Sequence, residues 1–117
     1  MTKYKIKFET MRRRMEFDLV MQQGNRSRGK LITVLALLDD VDSLRGRVGI
    51  TVSKKVGNAV QRNLVRRRIK SIISGYCLRT DCLVVIIARP EARLATFGDL
   101  RREMKHCFSK LDLGSRY

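Results

Sequence analysis

The stretch RVGITVSKKVGNAVQRNLVRRRIK, residues 47–70, decides the fold because a strand, a turn and a helix follow one another within it. In its first part Val48, Ile50 and Val52 alternate with polar or small residues. This period of two is typical of a strand that buries one face. We therefore predict a strand that ends before the two lysines at positions 54 and 55.

A helix is predicted directly after this strand. Gly57 permits a tight turn, and Asn58 is a good N-cap because its side-chain oxygen can accept hydrogen bonds from the first unpaired N–H groups of a helix. We expect the helix to extend from about Ala59 to Ser74. On a helical wheel its apolar residues form one stripe, separate from its basic residues. The predicted stripe consists of Val65, Ile69, Ile72 and Tyr76.

The polar sector of this helix is strongly basic. Between Ser53 and Gly75 the chain has seven Lys or Arg residues and no Asp or Glu, so the segment lacks an internal counter-charge. A solvated helix face is the usual meaning of such a charge run. We favour nucleic acid, because arginine binds phosphate with several donors and asparagine can address a base or sugar edge. The predicted nucleic-acid-binding residues are Lys54, Lys55, Asn58, Arg62, Asn63, Arg66, Arg67 and Lys70.

The composition narrows the class of protein. A chain of 117 residues with a net charge of +15 is long enough for one domain with a modest core. We predict a single nucleic-acid-binding domain over residues 1–117, with residues 1–9 as a mobile basic arm. The longest apolar runs, 31–38 and 83–88, are far shorter than the ~20 residues that span a bilayer, and the N-terminus lacks a secretory apolar region. No membrane partner is expected.

The cysteines indicate a reducing compartment. There are three of them, Cys77, Cys82 and Cys107. Their odd number and the lack of a CxxC spacing argue against a disulfide framework and favour the cytoplasm. A zinc site built from these residues and His106 is possible on paper, but closed zinc sites usually pair their ligands at short, regular spacing. We expect no metal site in the protein.

No catalytic constellation is visible. Three acids lie close together at Asp39, Asp40 and Asp42, but no regular ligand series follows, so a solvated connection between antiparallel strands is the better interpretation. The chain has one histidine and lacks the HExxH and GxxxxGK[ST] motifs. A protein nuclease would need a metal-binding carboxylate cluster or an acid and base pair. If the chain belongs to an enzyme, the catalytic groups must lie in another component.

Four further elements complete the prediction. A short helix is expected from about Arg13 to Gln23, closed by Gly24 as its C′ residue. Residues 25–30 suit a loop or short edge strand. Apolar strands are expected at 31–38 and 82–88, and the first should be buried on both faces. A last helix over about 97–111, capped by Thr96, should pack through a stripe at helical spacing. That stripe consists of Phe97, Leu100, Met104, Phe108 and Leu111.

The run SKKVGNAVQRN, residues 53–63, followed by Arg66 and Arg67, resembles the protein subunit of bacterial ribonuclease P. The resemblance covers nearly the whole chain. It implies an α+β single-domain sandwich of αβββαβα order, with a central four-stranded sheet and an unusual left-handed βαβ crossover. General topology rules alone predict the opposite hand. Lys70 departs from the family, which often has arginine there, so we expect no bidentate phosphate contact at this position.

The resemblance also implies a function. In that family the RNA subunit is the catalyst and uses Mg²⁺, while the protein binds this RNA and the 5′ leader of precursor tRNA. Phe17 matches an aromatic position that touches the leader, and Met21 replaces a second aromatic with a flexible thioether. Simple packing of both residues against the sheet is an equally good interpretation. We therefore predict a noncatalytic subunit of an endoribonuclease, with a structural RNA-binding protein, such as a ribosomal one, as the alternative.

Overall fold

The structure is a computed structural model that describes residues 4–5, 9–10, 14–38, 47–79 and 81–116. The described helices are α1 (Arg14–Gln23), α2 (Ala59–Ile73) and α3 (Phe97–Lys110), with a 3-10 helix at Pro90–Leu94. The strands are β1 (Tyr4–Lys5), β2 (Glu9–Thr10), β3 (Asn25–Arg28), β4 (Ile32–Leu38), β5 (Arg47–Val52), β6 (Tyr76–Arg79), β7 (Cys82–Ala88) and β8 (Gly114–Arg116). When the two-residue strands β1 and β2 and the strands β6 and β8 of a second sheet are left out, the order of the remaining elements is αβββαβα, as predicted.

A central sheet organises the domain. Its strand order is β2-β5-β7-β4-β3, so four main strands are extended at one edge by the two-residue strand β2. Strand β7 pairs antiparallel with β4 and parallel with β5. Helix α2 belongs to the segment that joins β5 to β7. The strand, helix and strand predicted from the sequence are confirmed, and the left-handed crossover stays an expectation from the resemblance.

The two faces of the sheet bury different amounts of apolar surface. The larger core lies between the sheet and helices α2 and α3, and it includes Ile32, Ile86, Ile69 and Phe108, which are all fully buried. The smaller core lies between the sheet and α1 and centres on Val20, Leu35, Leu83 and Val85. Truncating a large side chain in the first core, such as Phe108, would cost about 3–5 kcal/mol. The domain is therefore a sandwich in which the sheet packs against α2 and α3 on one face and against α1 alone on the other.

Helix α2 begins as predicted and ends slightly earlier. The Asn58 side chain accepts a hydrogen bond from the Gln61 backbone N–H at 2.9 Å, and the Gln61 side chain accepts from the Asn58 N–H at 2.9 Å. Gly57 has a φ of 156°, and a Cβ there would lie 2.1 Å from the Gln61 side-chain oxygen. Tyr76 was predicted on the helical stripe, but it begins β6 because the helix ends at Ile73. Its buried ring packs edge-on against Phe108, with centroids 4.9 Å apart.

The other two helices match their predicted bounds within one residue, with two corrections. Gly24 closes α1, but not through a left-handed conformation. A Cβ at this position would lie 2.5 Å from the Val20 carbonyl oxygen, so the site needs glycine for space. Thr96 caps α3 as predicted, and its hydroxyl accepts from the Asp99 N–H at 3.1 Å. Phe97 was assigned to the core stripe but remains 39% exposed at the first position of α3.

A second, smaller sheet was not predicted. Its order is β1-β6-β8, and both pairings are antiparallel. Within the predicted basic arm, Tyr4–Lys5 pairs with Leu78 and Arg79 of β6, and the mobility of the arm stays a prediction. Residues 1–3 and 6–8 of that arm lie outside the described residues, and Glu9 belongs to β2. Among the described helices, none is long and apolar enough to cross a membrane.

Glu103 of α3 holds the turn between β3 and β4. Its carboxylate accepts backbone hydrogen bonds from Lys30, Leu31 and Ile32 at 2.9, 2.7 and 2.6 Å. Gly29 faces the same carboxyl group, since a Cβ at Gly29 would lie 2.5 Å from its Cδ. Three otherwise unpaired backbone donors at the start of β4 are thus satisfied by one side chain. This contact ties edge strand β3 to α3.

Candidate nucleic-acid interface

The outer side of α2 forms an open basic concavity. The concavity has a volume of about 400 Å³ and is lined by four of the predicted residues and by the exposed Val60. These four are Asn63, Arg66, Arg67 and Lys70, and we call them the α2 basic face. The Arg66 Nη1 donates to the Asn63 Oδ1 at 3.3 Å, which orients both side chains along the helix surface. The structure therefore brings half of the predicted RNA-binding set into one site.

The α2 basic face lacks compensating acids. Among the described residues, no carboxylate lies within 4.0 Å of a charged nitrogen on α2, whereas Arg47, Arg79, Arg89 and Arg102 each have an acidic partner. Uncompensated like charges on one helix repel one another and attract anions. The acid-free pattern of α2 in the sequence is thus also found in the fold, where the described ion pairs lie away from this helix.

The other predicted residues occupy different positions. Lys54 and Lys55 are exposed in the turn after β5, and Asn58 is exposed as the N-cap of α2. Arg62 is half-buried, and its Nε is buried without a hydrogen-bond partner among the described residues. None of these four lines the concavity. Asn58 has a confirmed structural role in capping, and any RNA contact it makes would be additional.

The second predicted site, at Phe17 and Met21, lies on the opposite face of the sheet. Both side chains are half-buried and pack against the smaller core, where Val20 is the fully buried member of α1. Glu16 fixes the start of this helix by accepting a hydrogen bond from Arg47 of β5 at 2.5 Å. Packing and partial exposure therefore coexist at both predicted residues.

Two arginines on the same face were missed from the sequence. Strand β3 is the edge of the sheet, and its antiparallel register places Arg26 opposite Leu35 and Arg28 opposite Thr33. Directly opposed residues of neighbouring strands point to the same face. Because Leu35 packs towards α1, both exposed arginines share that face. The alternation Arg-Ser-Arg in the sequence indicates that the two arginines share one face of a strand. The register with β4 is needed to show that this is the face towards α1.

The register also reveals a row of side chains that crosses the sheet near Arg28. Thr33 of β4 is opposite Ile87 of β7, and Ile87 is in turn opposite Thr51 of β5. The row therefore consists of Arg28, Thr33, Ile87 and Thr51. Lys54 follows Thr51 closely along the chain. One end of the α1 face thus carries the cation Arg28 at the edge of a partly apolar floor.

The cysteines and acids do not form a metal centre in the described part of the chain. No group of three or more His, Cys, Asp or Glu residues is placed to hold a metal ion there. Burial raises the pKa of the Cys82 thiol to about 11, and it also raises the pKa of Cys107, whose Sγ donates to the Ser27 carbonyl at 3.9 Å. Both cysteines are core residues, and His106 is exposed. The acids predicted as a solvated connection, 39, 40 and 42, lie outside the described residues.

Comparison with known proteins identifies relatives over almost the whole chain. The profile of the family Ribonuclease P matches residues 6–112. The ribonuclease P protein component of Ligilactobacillus salivarius is 35% identical over 105 residues, which cover 88% of this chain and 88% of the relative. That of Pediococcus pentosaceus is 36% identical over 107 residues, 90% of this chain and 85% of the relative.

Solved structures share the fold. The Staphylococcus aureus RNase P protein superimposes with a TM-score of 0.80 at 23% identity, covering 93% of this chain and 100% of the other. The RNase P protein from Thermotoga maritima gives a TM-score of 0.69 at 23% identity, with 88% and 94% coverage. These two likenesses support the sandwich architecture.

Proposed function

We propose that two surfaces of this protein bind two different RNAs. The chain belongs to the ribonuclease P protein family and is a subunit of that endoribonuclease. The α2 basic face binds the catalytic RNA subunit. The α1 face of the sheet, with Phe17, Met21, Arg26 and Arg28, binds the 5′ leader of precursor tRNA. The observation that carries the proposal is the basic concavity on α2, which no described acid lines and which lies on the side of the sheet opposite α1.

The chemistry of the α2 basic face suits a folded RNA. Arg66 and Arg67 supply planar sets of donors that match phosphate oxygens, and Lys70 adds a point charge one turn later. Asn63 can donate or accept at a ribose hydroxyl or base edge. Because no acid in the described ranges pairs with these cations, phosphates would replace water and counterions there. Release of those counterions makes such binding strongly dependent on salt.

The α1 face suits an extended single strand. Phe17 and Met21 offer an apolar wall, and the row that ends at Arg28 offers a floor with a charged edge. Single-strand binders that tolerate many sequences combine a stacking surface with cations along the backbone. Within α1, Phe17 is the one aromatic side chain in this wall, since Met21 stands at the second position. Leader binding should therefore depend on Arg26, Arg28 and Lys54 more than on stacking.

Catalysis itself belongs to the RNA subunit in this proposal. The Mg²⁺ that the reaction needs is bound by the RNA and its substrate, and no dedicated protein site is invoked. The protein raises affinity for precursor tRNA and lowers the concentration of Mg²⁺ needed for cleavage, because its cations offset phosphate repulsion. Three free cysteines are compatible with the reducing cytoplasm as the place of action.

The proposal is tested by reconstitution with the cognate catalytic RNA. Addition of the protein should lower the Mg²⁺ concentration required for leader cleavage, and protein without RNA should cleave nothing. Arg66→Ala and Arg67→Ala should each weaken binding of the catalytic RNA and reduce the slope of log K against log salt by about one.

A matched control is available on the other helices. Arg101→Ala removes an exposed cation from α3, outside both proposed surfaces, and should leave the salt slope unchanged. If Arg66→Ala and Arg67→Ala keep the slope of the unaltered protein, the α2 basic face is not the interface. If the protein binds the catalytic RNA but does not alter the Mg²⁺ requirement, its role is that of a structural RNA-binding protein.

A further inference from the structure

An apolar groove lies beside the α2 basic face and has no assigned role. It separates α2 from the 3-10 helix Pro90–Leu94, has a volume of about 440 Å³, and is lined by Gln61, Leu64, Val65, Arg93 and Leu94. Leu94 is 82% exposed and Leu64 is 39% exposed. Val60, 77% exposed, belongs to the neighbouring concavity and lies one helical turn before Leu64. Apolar surface is therefore continuous from the basic concavity to Leu94.

The groove is held in a fixed shape. The Arg68 Nη1 donates to the Ala95 carbonyl at 3.0 Å, which ties the end of the 3-10 helix to α2. Ala92 is fully buried in the same short helix, so its backbone is anchored on the core side. Leu94 thus extends outward from a supported turn. A preformed apolar surface binds a partner without the entropic cost of ordering a loop.

The charge around the groove selects its partner. Arg93 lines the groove and is exposed, the α2 basic face lies next to the groove on the same helix, and no carboxylate lines the groove in the described part of the chain. The acids Glu91, Asp99 and Glu103 line a separate cavity that shares Leu94 with the groove. On the α2 side, therefore, a basic protein surface would be repelled, while a polyanion is attracted by both sets of cations. Aliphatic side chains beside arginines can pack against the flat face of a base whose phosphates contact the cations.

We propose that this groove, bounded by Leu64, Leu94 and Arg93, holds an unpaired nucleotide of the catalytic RNA. The base packs on the two leucines, and a flanking phosphate binds Arg93. This inference rests on the proposed function of the α2 basic face and extends that interface beyond α2 itself. Helical segments of the RNA bind the concavity through phosphates, whereas the groove accepts a base that has left its stack.

The apolar contact of Leu94 and the charge of Arg93 contribute differently to the salt dependence of RNA binding, so the two can be separated. Leu94→Ser removes the apolar contact but no charge, so affinity for the cognate catalytic RNA should fall roughly threefold to tenfold with an unchanged salt slope. Arg93→Ala should lower the slope by about one. Leu94→Phe enlarges the stacking surface and should tighten binding. Chemical probing of the RNA should show one unpaired base that the unaltered protein protects and the Leu94→Ser protein does not.

Met15 provides the matched control. It is also 82% exposed, but it lies on α1 at the opposite face of the sheet, so Met15→Ser should bind the catalytic RNA normally. Normal RNA affinity and base protection for Leu94→Ser would overturn the inference and assign the groove to a protein partner. Arg67→Ala makes the two failures distinguishable: if it weakens RNA binding while the Leu94 and Arg93 variants do not, the proposed function stands and only its extension fails.

Discussion

Asn58 has a structural role that can be separated from RNA binding. Its side chain and that of Gln61 each accept a backbone hydrogen bond from the other residue, so both satisfy donors at the start of α2. Asn58→Ala should lower the free energy of unfolding by ~1 kcal/mol, as measured by urea titration. Asn63→Ala is the control, because its side chain bonds only Arg66 and should leave stability nearly unchanged. Weak RNA binding by Asn58→Ala at full stability would contradict this role.

Glu103 is the residue whose importance was least visible in the sequence. It falls in a charged helix and resembles a solvated surface acid, yet its carboxylate accepts three backbone N–H groups about 70 residues away along the chain. Glu103→Gln should lower the free energy of unfolding by roughly 1–3 kcal/mol, because the amide replaces one acceptor oxygen with a donor that faces N–H groups.

Glu91 serves as the comparison for Glu103. It is an exposed acid whose nearest cationic partner, Arg89, lies 3.8 Å away, so Glu91→Gln should change the free energy of unfolding little. Both variants remove one negative charge, which keeps the net charge of the two proteins equal. Equal stability of the two glutamine variants in urea would show that the carboxylate of Glu103 has no special part in holding the turn.

At the scale of elements, the parts predicted from the sequence are those with local signals. Helices α2 and α3 can be predicted because each has a capping residue, a partner of that residue three positions later, and an apolar stripe. Strands β6 and β8 have three or four residues each, and β6 pairs with a segment more than 70 residues away, so no local pattern indicates their sheet. The orientation of Arg26 and Arg28 depends likewise on pairing with β4. The face of the sheet to which a side chain points is therefore set by strand pairing in the tertiary structure and not by the local sequence.

The α1 face leads to a prediction about substrate discrimination. Phe17→Ala removes the aromatic wall, and Arg28→Ala removes the charged edge of the row on the sheet. In the reconstituted holoenzyme both should weaken precursor tRNA binding and spare mature tRNA, which lacks the leader. Met21→Phe restores a second stacking surface, typically worth ~1–3 kcal/mol per base, and should strengthen precursor binding. Affinities for the two tRNAs, measured at two salt concentrations, test all three.

The controls separate leader contact from packing. Met15→Ala changes an exposed residue of the same helix and should affect neither tRNA. Arg28→Ala should flatten the salt dependence for precursor tRNA alone, whereas Phe17→Ala should not, because it removes no charge. If Phe17→Ala weakens both tRNAs equally and lowers the thermal midpoint, the side chain acts only in the smaller core.

At the scale of the whole molecule, the net charge of +15 opposes compaction. The described ion pairs are few and lie away from α2, so the repulsion among α2 cations persists in the folded state. Screening by sodium chloride should therefore raise the thermal midpoint of the isolated protein. A polyanion should stabilise it beyond screening, because binding to the folded state alone shifts the unfolding equilibrium.

Inorganic tripolyphosphate is a suitable probe of this second effect. At about a hundred times its dissociation constant a single bound anion would add ~2.7 kcal/mol, while its low concentration contributes little ionic strength. The double variant Arg67→Ala, Lys70→Ala should lose most of this increment and keep the response to sodium chloride, since it removes two cations from one concavity. A variant that removes two exposed cations from α3, Arg101→Ala with Lys105→Ala, should retain the increment. If the two double variants respond alike, tripolyphosphate stabilises the protein through its total charge and α2 has no special affinity for phosphate.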